Sequence, residues 1–79
     1  ALKGLRVQID KYDLQIVELL NKRAAVAAQI GKAKADSGGE VFSAAREEEV
    51  LNNVTGASKG PLQEVTIKGI FRELISGCR

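Results

Sequence analysis

Histidine is absent from this 79-residue chain, and cysteine occurs once, as Cys78. The first absence removes histidine metal sites and a histidine general base; the second removes an internal disulfide. With no base to activate it, Cys78 reads as a small core residue rather than a nucleophile, and a reducing, cytoplasmic setting is expected. Aromatics are scarce: Tyr12, Phe42 and Phe71 make no stacking platform for single-stranded nucleic acid. No apolar run approaches the ~20 residues of a membrane span, and the start lacks a charged-then-apolar signal pattern, so the chain is expected to be soluble. The net charge of +2 is too small to point to a nucleic acid.

The charge is unevenly spread. Residues 1–36 hold seven Lys or Arg against four acids, whereas Glu47, Glu48 and Glu49 turn the following segment negative. A small polyanionic ligand fits this pattern better than a duplex does.

The hydrophobic periodicity is helical throughout, and it predicts an all-α chain of three helices. The first runs from about Leu2 to Ala35 and stops at Asp36-Ser37-Gly38-Gly39, with Lys32 and Lys34 suiting its negative end. The second runs from about 44 to 55, with Ser43 as N-cap, Val50, Leu51 and Val54 on one face, and Gly56 as its stop. The third, about 61–78, places Pro61 in its first turn and Glu64 at its positive end. Its expected core stripe is Leu62, Val65, Ile70, Phe71, Leu74, Ile75 and Cys78.

Written as heptads, the first helix puts Leu2, Ile9, Ile16, Arg23 and Ile30 at one seam position. Leu5, Tyr12, Leu19, Val26 and Ala33 take the other, so Arg23 is the one charge in the seam. A guanidinium cannot shed its proton to escape burial; it must snorkel, pair with a carboxylate, or await an anionic ligand. A helix of this length is a rod of roughly 50 Å, against a radius of gyration of about 12 Å for a compact chain of this size. Such a rod overhangs its own domain, and the uncovered seam predicts an intertwined homodimer with the long helices packed together. A monomeric bundle would need a bent first helix, yet Gly4 and Gly31 lie too near its ends to fold it in half.

Arg23 and Lys34 are nearly three full turns apart, so they share a face at ~16 Å separation and can converge on one small ligand. Arg6 stands about 25 Å from Arg23 along the same helix, beyond shared reach within one chain but within reach of a partner's site in an antiparallel dimer. Arg46 and Glu47 sit in the first turn of the second helix, where spare backbone N–H groups also favour anions.

Taken in order, Leu5-Arg6, Ile9-Asp10, Asp13, Leu19-Leu20-Asn21-Lys22-Arg23, Ile30-Gly31-Lys32-Ala33-Lys34, Arg46-Glu47, Val50-Leu51, Gly60-Pro61-Leu62 and Ile70-Phe71-Arg72-Glu73 resemble the all-α chorismate mutases over essentially the whole chain. The likeness is closest to mutase domains fused to prephenate dehydratase or to the synthase that opens the shikimate pathway. It implies an isomerase of aromatic amino acid biosynthesis that rearranges chorismate to prephenate. The shift is intramolecular and pericyclic, so no metal, cofactor or nucleophile is called for. By the same resemblance, Arg23 and the partner's Arg6 bind the two substrate carboxylates and Lys34 donates to the ether oxygen. Glu47 accepts from the ring hydroxyl, and Arg46 lines the site.

Ser43 stands where relatives often carry aspartate, and it can bond the substrate hydroxyl without bringing charge. Cys78 stands where a serine is expected to touch a carboxylate, and a thiol is the poorer donor. A glutamine expected one turn beyond Cys78, assisting Lys34, falls past Arg79, so a trimmed or continuing C-terminus is expected. Two other readings stay open: an isochorismate pyruvate lyase on the same scaffold, and a non-catalytic dimerisation or regulatory module in which a carboxylate such as Glu47 neutralises Arg23.

Overall fold

The computed structural model describes residues 1–37 and 43–78, apart from the side chains of 35–37. Three helices follow in order: α1 (Leu2–Ser37), α2 (Ala44–Ala57) and α3 (Glu64–Gly77), with no strand among the described residues. The Gly38-Gly39 stop expected for the first helix lies outside them.

Helix α1 is a single rod without an interior break, as its unbroken apolar period requires. It sets the shape of the molecule: the longest axis is 55 Å and the radius of gyration 15.6 Å, well beyond the value of a compact chain of this length. Helices α2 and α3 pack against each other beside the C-terminal half of α1. The N-terminal half extends past them, and every described residue from Ala1 to Leu19 is exposed.

Within a single chain, nothing among the described residues covers the seam of that overhang. Leu2, Leu5, Ile9, Tyr12, Ile16 and Leu19 are between 53% and 63% exposed. At about 1.5–3 kcal/mol for each fully buried side chain, this leaves on the order of 5–10 kcal/mol of hydrophobic stabilisation unused. That is comparable to the whole stability of a typical domain. Among the described residues Ile75, on α3, is the single buried hydrophobic. Leu74, Phe71, Leu51, Val50 and Cys78 are half-buried around it.

Three helix ends differ from the sequence expectation: α1 runs on through Asp36 to Ser37 instead of closing at Ala35. The third helix opens at Glu64 rather than at Pro61, because Gly60, Pro61 and Leu62 form a bend and Gln63 is the N-cap. The Gln63 carbonyl accepts from the backbone N–H of Thr66 and Ile67, which starts the helical ladder there. Leu62, Val65 and Ile70, expected in the core stripe, are exposed at 52%, 68% and 45%, whereas Phe71, Leu74 and Cys78 are half-buried and Ile75 is buried. Gly56 does not stop α2, which continues to Ala57. The Ser58 N–H then closes the ladder on the carbonyls of Val54 and Thr55.

Candidate functional site

The site is built from one stripe of α1, the first turns of α2 and the end of α3. Along α1, Leu19, Arg23, Val26, Ala27, Ile30 and Lys34 recur at helical spacing, so their side chains line one wall of a single cleft of about 690 Å³. Arg46, Glu47 and Val50 of α2 form the facing wall, and Ile75 and Cys78 of α3 close one end.

Ser43 fixes the start of α2. Its backbone is extended, and its hydroxyl oxygen accepts from the Arg46 backbone N–H at 3.1 Å. This N-cap sets the phase of the helix so that Arg46 and Glu47 stand in its first turn, at the cleft. Ser43 is not itself among the lining residues.

Cations outnumber acids in the cleft. Lys22, Arg23, Lys34 and Arg46 line it, with Glu47 the one carboxylate among its lining residues. Arg46 pairs with Glu49 one turn along α2, and Lys22 pairs with Glu18 at 3.2 Å. Lys34 and Glu47 are both engaged as well. Arg23 takes part in none of the ion pairs found among the described residues, and its polar neighbour there is the Cys78 thiol, 4.0 Å from Nη1. A thiol is a weak acceptor and does not neutralise a guanidinium. On its other side Arg23 borders a smaller apolar groove with Ile16, Leu20, Ile70, Phe71 and Leu74. A fixed cation thus sits on an apolar wall with its head toward a concave, net-positive space. That arrangement suits a compact anion carrying more than one carboxylate.

Five of the seven residues singled out from the sequence, Arg23, Lys34, Arg46, Glu47 and Cys78, therefore meet in one cleft, with Ser43 beneath it as a cap. Arg6 does not join them within this chain: it lies seventeen residues before Arg23 on a straight helix, about 25 Å away along the axis. Lys22 also lines the cleft, a residue the sequence pattern alone does not single out. Its one signal there is its place three residues after Leu19 and four before Val26, on the same stripe.

Residues 5–79 match the family model described as Chorismate mutase type II. The bifunctional chorismate mutase/prephenate dehydratase of Pseudomonas aeruginosa is 34% identical over 82 residues, covering 98% of this chain and 22% of that protein. The protein of the same name from Neisseria gonorrhoeae is 40% identical over 73 residues, covering 92% of this chain and 20% of its own. This chain thus spans about a fifth of the length of these curated relatives. The form I structure of chorismate mutase from Thermus thermophilus superposes with a TM-score of 0.95 at 28% identity, over 99% of this chain and 98% of that one. With the family pattern running from residue 5 to the end and the three-helix fold reproduced over its length, the chain belongs to the chorismate mutase type II family.

Proposed function

We propose that this domain converts chorismate to prephenate, and that it does so as a homodimer whose sites are shared between chains. The observation that carries this reading is the position of Arg23, without a carboxylate partner among the described residues, in a cleft that also gathers Lys34, Arg46 and Glu47.

The rearrangement breaks one C–O bond and forms one C–C bond within the same molecule, and it needs no proton donor, metal or cofactor. Catalysis therefore rests on conformation and charge. Arg23 holds one substrate carboxylate and favours the folded, near-attack conformer. As the C–O bond lengthens, negative charge grows on the ether oxygen, and Lys34, ~16 Å along α1 from Arg23, meets it at the other end of the substrate. Both are long side chains that converge over that gap. Glu47 accepts from the ring hydroxyl, Ser43 supports it, Arg46 lines the site, and Cys78 lies beside the carboxylate held by Arg23.

The dimer supplies the second carboxylate ligand. The uncovered seam of α1 requires a covering surface, and a second α1 offers the same apolar period. Antiparallel packing of the two rods brings the partner's Arg6 to the Arg23 end of the cleft.

The test is incubation with chorismate, following the loss of its ultraviolet absorbance and identifying the product, with isochorismate in a parallel reaction. Prephenate from the first and no consumption in the second is the expected result. Pyruvate and salicylate from isochorismate would assign the lyase, and inertness toward both would leave a dimerisation module.

A further inference from the structure

Lys22 is the cation of the cleft that the roles above do not use. It belongs to the same α1 stripe as Leu19, Arg23 and Val26, so its stem forms part of the wall, yet its side chain is 69% exposed and its ammonium reaches back to Glu18 at 3.2 Å. Glu18 is 67% exposed and does not line the cleft. An exposed i,i+4 pair of this kind is weak and screened by salt, so it holds the ammonium at the mouth without committing it there. Lys22 stands next to Arg23, at the end of the cleft away from Lys34, which is where a substrate carboxylate is held.

We infer that Lys22 is a further substrate-recognition residue: an exchangeable cation at the mouth that leaves Glu18 for the carboxylate of the incoming dianion and acts on capture rather than on the bond-breaking step. This rests on the mutase reading above. A flexible, hydrated ammonium at the rim adds to the field that draws a dianion in, and it pairs with a carboxylate whose charge is the same in the ground state and the transition state, leaving the breaking ether bond to Lys34. Its contribution belongs to kcat/KM, fades with ionic strength, and leaves kcat unchanged.

The experiment compares Lys22→Gln, Lys22→Arg and Lys68→Gln with the unmodified chain on chorismate, across ionic strengths from about 0.01 to 0.5 M. Lys68 is the control: it is paired to Glu64 on α3 at 3.5 Å and lies outside the cleft, so its removal changes net charge equally. Lys22→Gln is expected to lower kcat/KM about three-fold at low salt, with the deficit closing at high salt and kcat held, as befits one exposed charge. Lys22→Arg restores the value and Lys68→Gln matches the unmodified chain. A Lys22→Gln variant indistinguishable from Lys68→Gln at every salt concentration overturns the inference while leaving the mutase reading intact. So does an equal fall in kcat and kcat/KM that salt does not relieve. An unmodified chain that leaves chorismate untouched removes the mutase reading and this inference with it.

Discussion

Replacing Arg23 with methionine separates a cation kept for a ligand from one that holds the fold. Arg23 is half-buried, lies between the cleft and an apolar groove, and has a thiol 4.0 Å away as its polar neighbour among the described residues. Removing it strands no carboxylate in the ion pairs found among the described residues, so the large penalty for breaking a buried ion pair, about 3–5 kcal/mol, is not expected. Methionine retains a flexible apolar stem against Leu19, Leu20, Phe71 and Leu74 and sheds the cost of desolvating a charge. The expected change in stability is between zero and a gain of about 1–2 kcal/mol, or up to roughly 16 °C in Tm for a domain of this size. Loss of a charge-assisted carboxylate contact, by contrast, costs about 2–5 kcal/mol in transition-state binding, which lowers kcat/KM by roughly 30- to 5,000-fold. Urea unfolding of both proteins at matched concentration, with chorismate turnover measured on the same samples, gives both numbers. A midpoint that drops by the equivalent of more than ~1 kcal/mol while turnover persists would refute the reasoning and assign Arg23 to the structure.

Lys34→Ala is expected to lower kcat by ~10²-fold or more with helicity retained, since one fixed donor to the ether oxygen is lost; near-normal turnover would remove Lys34 from the mechanism. Ser43→Ala deletes the hydroxyl that accepts from the Arg46 N–H, so it should destabilise the protein by about 1 kcal/mol in urea and raise KM through the displaced first turn of α2. Ile9→Asp places a charge in the uncovered seam. Sedimentation should show a shift from dimer to monomer with loss of activity, and an active, dimeric variant would contradict the proposed packing.

Much of the architecture is legible in the sequence because α1 repeats a single signal along its whole length: no competing period arises, and the one charge in its seam marks the cleft. The start of α2 is equally readable, since a serine just before an apolar helical stripe can accept from a first-turn N–H, as Ser43 does from Arg46. Pro61 misleads because a proline suits both the first turn of a helix and a bend, and the choice depends on how Gly60-Pro61-Leu62 connects two packed helices. Leu62, Val65 and Ile70 carry a convincing apolar stripe, but a stripe states that a face is to be covered and not by what. Lys22 is hidden in the sequence because its pairing with Glu18 looks like any surface i,i+4 contact until the opposite wall is in place. Arg6 is the converse case: no reading of one chain brings it near the site, and the length of α1 is what points to a second chain.

Mixing inactive variants measures that dependence directly. Arg6→Ala and Arg23→Ala homodimers each lack one carboxylate ligand at every site and should be inactive. When the two are unfolded together and refolded, random pairing makes half the dimers mixed, each with one intact site, so activity should return to about 25% of the unmodified protein. An inactive mixture in which heterodimers are verified by mass would contradict a site completed by the partner's Arg6.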